Sequence, residues 1–151
     1  MKAYPNYFLA WFWSVLGLLT LTGIALVPGM LALRFEWEIP AAWMPDGRIL
    51  WAAAHGLLAF CTLLLLGGLL PLHVRHGLRQ RKNRGSGITM LCTLPVLILT
   101  GWGVYYVVNE SAARWTSALH VLIAVPISAF VGYHAWRAHR IHAEFDSRHL
   151  H

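Results

Sequence analysis

The sequence predicts an all-α integral membrane protein, a bundle of four transmembrane helices built as a single domain over residues 1–151. Three observations predict it. Of the 151 residues, 58% are hydrophobic and only 12% are charged, with a mean hydropathy of +0.54, more apolar material than a soluble domain of this size requires. That material is gathered into four runs, Tyr7 to Leu33, Ile49 to Leu72, Ile88 to Val108 and Trp115 to Trp136. Each exceeds the roughly 20 residues needed to cross a hydrocarbon core of about 30 Å. Helices follow because backbone polar groups in lipid must bond within their own segment.

The first run follows Lys2 and resembles a signal peptide only in position. Its apolar stretch is longer than a cleaved core of about 7–15 residues, and no small-x-small site follows it, so it is expected to be retained. The Arg34–Arg48 connection mixes Trp37, Pro40, Trp43, Pro45, Asp46 and Gly47, a composition suited to a membrane interface and a turn. The second run leads into a basic loop, 73–87. The third and fourth runs are separated by a short connection, and the tail after Trp136 can extend the last helix by a few turns.

Charge orients the bundle. Lys2, the loop (Arg75, Arg79, Arg81, Lys82, Arg84) and the tail (Arg137, Arg140, Arg148) hold nine of the twelve Lys and Arg residues. With Glu144 and Asp146 subtracted, that side carries +7. The other side sets Arg34, Arg48 and Arg114 against Glu36, Glu38, Asp46 and Glu110, for −1. The excess of basic residues predicts both termini and the 73–87 loop in the cytoplasm, in a multi-pass protein of the cytoplasmic membrane. Anionic lipid headgroups account for the basic loop without nucleic acid. Cys61 and Cys92 have no metal-like spacing and read as small buried hydrophobes.

A short echo runs through the chain. Leu21-Thr22-Gly23 in the first span recurs as Leu99-Thr100-Gly101 in the third, and Arg48 before His55 recurs as Arg114 before His120. The chain reads as two copies of one helical hairpin.

The histidines carry the functional signal. His55 lies six residues past Ile49 and His120 five past Trp115, so both are expected on the order of 8 Å inside the same boundary at ~1.5 Å per residue. His73 and His134 follow near the opposite ends of the same two spans. A separation of 18 returns to the starting helix face, and one of 14 falls about 40° short. An imidazole inside a membrane is costly unless its nitrogens are engaged, and haem iron is one partner that engages them. Two pairs at two depths therefore predict two bis-histidine haem b groups, ligated by His55 with His120 and by His73 with His134, with His76 an alternative to His73.

Propionates need cationic partners, and Arg48 and Arg114 flank the first pair while Arg75 and Arg137 follow the second. Gly17, Gly23, Gly29, Gly67, Gly68, Gly101 and Gly103 offer surfaces a flat macrocycle can approach. The spacings disagree: eighteen residues of ideal helix cover about 27 Å and fourteen about 21 Å. Greater tilt of the second span, or distortion near Gly67, Gly68 and Pro71, is expected to absorb part of the difference.

With His55 inside Trp51-Ala-Ala-Ala-His-Gly, and His120 and His134 fourteen apart in the last span, the chain resembles the membrane cytochrome b subunits of bacterial respiratory enzymes. These include the diheme anchors of formate dehydrogenases and hydrogenases. The resemblance implies bis-histidine haem b, electron transfer across the bilayer and exchange with quinone. The first span holds no histidine, which departs from the formate dehydrogenase pattern and looks more like the core of bc-type complexes, where one helix pair ligates both haems.

The expected function is a diheme subunit relaying electrons between a periplasmic redox partner, such as an electron carrier or cytochrome, and the quinone pool, alongside other subunits of a membrane redox complex. A haem-free membrane anchor or assembly subunit is the alternative. No nucleotide fingerprint, CxxCH or iron–sulfur cysteine set occurs, so no catalytic centre is evident. Trp11, Trp13, Tyr105 and Tyr106 read as aromatic belts rather than as a quinone site.

Overall fold

The computed structural model describes residues 5–74 and 84–148, and its described elements are helical throughout. Helix α1 spans Asn6–Phe35, α2 Arg48–Leu69, α3 Arg84–Tyr106 and α4 Glu110–Arg148. All four are long and apolar enough to cross a membrane. They match the four predicted runs: α1 and α4 overrun theirs at both ends, α3 stops at Tyr106, short of Val108, and α2 stops at Leu69, short of Leu72. There the last residues, Leu70–Val74, wind instead into a π turn. The distortion expected near Pro71 is therefore real, and the turn contains both Pro71 and the backbone of His73. A π turn packs an extra residue into the helix, and such turns recur at functional positions.

Helix ends follow local chemistry. α1 closes on Glu36, whose left-handed backbone (φ 56°) lets its N–H donate to the Leu31 carbonyl. The chain then crosses a single 3₁₀ turn, Ala41–Trp43, and enters α2 through Gly47 at φ 66°. The second hairpin is tighter. Asn109 accepts at its side-chain oxygen from the Ala112 N–H (2.9 Å) and so starts α4 immediately after residues 107–108. At 39 residues α4 is longer than a bilayer requires, and the expected extension of the tail is present, reaching Arg148.

Two hairpins, α1–α2 and α3–α4, join through packing of α1 on α4. The hydroxyls of Thr20 and Ser128 meet at 3.2 Å across that joint, the kind of small polar contact that holds helices together where hydrophobic burial offers no preference. Between α3 and α4 the backbones approach closely: a Cβ on Gly103 would fall 2.6 Å from Thr116 Cγ2. Helix α2 packs on α1. Apart from isolated approaches, such as the Tyr105 hydroxyl donating to the Ala52 carbonyl (3.4 Å), it stands away from α3 and α4.

Among the described residues, the buried set is small and mostly polar: Val15, Ala113, Gly29 and Gly103, with Thr22, Thr62, Ser86, Thr100 and Ser117. Cys92 is exposed and Cys61 half-buried, so the expectation that both cysteines are buried is corrected.

Candidate functional site

Two of the expected histidines come to the same place. His55 on α2 and His120 on α4 are both half-buried, lie at the same end of the bundle, and sit within electrostatic reach of each other. The helices that carry them, α2 and α4, do not pack extensively on each other.

Each ring is held by the preceding helix. The Thr22 hydroxyl oxygen of α1 lies 3.0 Å from His55 Nδ1, and that of Thr100 on α3 lies 3.1 Å from His120 Nδ1. Neither threonine has a second proton to give. Thr22 Oγ1–H points to the carbonyls of Leu18 (2.9 Å) and Leu19 (3.0 Å), and Thr100 Oγ1–H to those of Val96 (2.8 Å) and Leu97 (3.2 Å). Back-bonding of this kind is a common use of a threonine hydroxyl inside a helix. With that proton committed, the threonine oxygen accepts, and the network assigns the imidazole proton to Nδ1. The Leu19 and Leu97 carbonyls, which only accept, lie beside the same two rings. Nε2 of each ring then carries the lone pair, and it has no hydrogen-bond partner among the described residues.

Glycine makes room for the rings. A Cβ on Gly23 would lie 3.0 Å from His55 Cε1, and one on Gly101 would lie 3.1 Å from His120 Cε1. These two glycines, expected to offer surfaces to a flat macrocycle, lie against the imidazoles. Gly29 receives the Arg48 side chain, with Cδ 2.9 Å from a notional Cβ, and Gly103 receives Thr116. Gly17, Gly67 and Gly68 meet no other group within 4 Å, so only these keep the open surface first expected of all seven.

His134 is placed by the same means at the other end of α4. Its Nδ1 lies 2.8 Å from Ser86 Oγ, near the start of α3, with Gly87 beside its Cε1. His73 falls in the π turn by its backbone, and its side chain lies outside the described residues, as do Arg75 and the alternative His76. The structure thus brings His55 and His120 to the same end of the bundle, and the expected pairing of His134 with His73 falls outside the described residues.

The arginines divide similarly. Arg48 packs over Gly29 at the His55 end. Arg114 pairs with Glu110 (3.2 Å), lies over the Phe35 ring (5.9 Å), and keeps its buried Nε without a hydrogen-bond partner. Arg34 donates to the Val104 carbonyl (3.2 Å) and adds a third guanidinium to that end. Arg137 is exposed on α4.

Sequence reasoning missed Thr22, Thr100 and Ser86 as site residues. The repeated Leu-Thr-Gly was the available signal, because it places a hydroxyl and a glycine together opposite each histidine.

The donor set restricts what the site can hold. Among the described residues, no three of His, Cys, Asp and Glu converge. Two imidazoles are too few for a four-coordinate ion such as zinc, whereas two axial nitrogens suit a metal that brings its own equatorial ligands. An open groove at Ala41, Met44, Pro45, Asp46, Arg48 and Ile49 includes no histidine. No protein-family model matches the chain, and no match was found among curated proteins or solved structures.

Proposed function

We propose that this chain is a diheme membrane cytochrome b subunit of the bacterial inner membrane, which relays electrons across the bilayer between a periplasmic redox partner and the quinone pool. The observation that carries the reading is the paired presentation of His55 and His120. Each has Nδ1 bonded to a threonine and, among the described residues, an Nε2 without a hydrogen-bond partner, on helices that do not pack extensively on each other. A metal-ligating histidine characteristically donates its other N–H to an oxygen, which fixes its tautomer and orientation. Haem b bound between two such imidazoles supplies reversible one-electron transfer at iron with no open coordination position.

The chain's own residues have distinct tasks in this reading. His55 and His120 hold iron at one end, and His134 with His73 does so at the other. Arg48 and Arg114 provide cationic partners for propionates at the first site, the unpartnered Nε of Arg114 being one available donor. Arg75 and Arg137 have that role at the second. The lopsided basic residues support an orientation with both termini in the cytoplasm, which would put the His55–His120 site toward the periplasm. With short connections and no catalytic centre of its own, the protein would act beside other subunits of a respiratory complex.

One observation favours a second reading, a haem-free anchor or assembly subunit. The Thr22–His55 and Thr100–His120 bonds also join α1 to α2 and α3 to α4, as structural interhelix bonds would. Such a role leaves both Nε2 atoms without a task. Optical spectra and a pyridine haemochrome assay of the purified chain separate the two. A reduced low-spin b-type α-band with two haems per chain supports the cytochrome, and absence of Soret absorption establishes the anchor.

A further inference from the structure

One local device recurs three times. Thr22–Gly23 faces His55, Thr100–Gly101 faces His120, and Ser86–Gly87 faces His134. Each time a hydroxyl meets Nδ1, at 3.0, 3.1 and 2.8 Å, and the next residue is a glycine lying against Cε1. Antiparallel register explains the third copy. His134 lies fourteen residues beyond His120 along α4, and Ser86 lies fourteen before Thr100 along α3. One hairpin therefore presents the device twice. The corresponding positions of the first hairpin are Phe8 and Leu69, which carry neither hydroxyl nor imidazole. There α2 offers its second histidine four residues later, in the π turn.

We infer that Thr22, Thr100 and Ser86 are positioning residues that set the tautomer, ring rotation and donor strength of the histidines they touch. The inference rests on the haem reading above. An acceptor at Nδ1 draws the proton outward and makes Nε2 a stronger donor, which favours ferric over ferrous iron and lowers the midpoint potential. The glycine fixes the ring's rotation by letting it lie against the backbone. A hydroxyl serving only to join helices would affect stability and leave these electronic properties alone. Because His55 and His120 share one site, Thr22 and Thr100 act on the same haem. Ser86 acts on the other.

The test uses the full-length protein purified with its haem, compared with T22V, T100V, S86A and T22S. Optical redox titration and low-temperature electron paramagnetic resonance are the readouts. T22V and T100V are expected to raise the midpoint of the same component and change its largest g value, leaving the other component in place. S86A is expected to do the reverse, and T22S to keep wild-type values. Loss of one haem in T22V with retention in T22S also supports the inference. Unchanged midpoints and g values in T22V and T100V, with low-spin haem b present in the wild type, overturn the inference and leave the proposed function standing. Equal shifts of both components by T22V overturn it as well. A wild-type chain that binds no haem removes the proposed function first and this inference with it.

Discussion

Gly101 on α3 lies against the imidazole of His120 on α4 so closely that an added Cβ would fall 3.1 Å from Cε1. Gly23 stands in the same relation to His55, at 3.0 Å. Alanine at either position should push the ring outward and lengthen its bond to the adjacent threonine, at a cost of about 1–3 kcal/mol for overpacking. Haem retention by G23A and G101A during detergent purification should fall below that of the wild type. Full retention in both would show that the rings need no such space.

On the proposed function, His120→Ala should remove about half of the haem, since His120 would be one of the two residues holding one of two haems. Membrane insertion should change little, because the substitution leaves the fourth apolar span intact. The haem-to-protein ratio, measured beside the amount of chain in the membrane fraction, checks this. A ratio equal to wild type counts against the assignment of His120.

The second hairpin depends on Gly103. An alanine there would place Cβ 2.6 Å from Thr116 Cγ2, and G103A should destabilise the protein by about 1–3 kcal/mol. Thr116→Ser deletes the obstructing methyl, so the double variant should recover most of the loss. Thermal unfolding in detergent of both single variants and the double variant measures the coupling. Additive effects would mean that the contact is unimportant.

Thr20 and Ser128 join the two hairpins at 3.2 Å. Ser128→Ala should weaken the bundle by roughly 0.6 kcal/mol, the average found for single interhelix hydrogen bonds in membranes. The midpoint potentials should stay at wild-type values, which distinguishes this joint from the hydroxyls that touch histidine.

The charge asymmetry predicts where fused reporters work. A fluorescent protein at the C-terminus should mature and fluoresce, and alkaline phosphatase inserted in the 36–47 connection should be active. The opposite result at both places would invert the proposed orientation, moving the His55–His120 site to the cytoplasmic side.

Much of this architecture was legible in the residues. The four apolar runs anticipate α1 to α4 to within a few residues at most ends, and a π turn at Leu70–Val74 distorts the end of the second span at Pro71, while Gly67 and Gly68 stay in regular helix. His55 and His120 were matched by their depth alone, since counting along a helix measures distance from its end. The roles of Thr22, Thr100 and Ser86 were not legible, although the Leu-Thr-Gly echo was visible. Nor was the division of the glycines into those that meet a ring, an arginine or a threonine and those that meet nothing. Both depend on which face of each helix turns toward which neighbour.

Composition and spacing alone determined that the chain has four membrane-length helices, two histidines at equal depth and a strongly unequal distribution of basic charge. Tertiary structure decided which hydroxyl meets which Nδ1, which glycine receives which ring, and that α2 stands apart from α4. The reason is physical. In a soluble helix the apolar stripe reports the buried face, but lipid is as apolar as the bundle interior, so hydrophobicity does not report how these helices are rotated. Rotation and register are set by small residues and hydroxyls at the contacts, such as Gly103 against Thr116 and Thr22 against His55, and those contacts exist only once the helices are side by side.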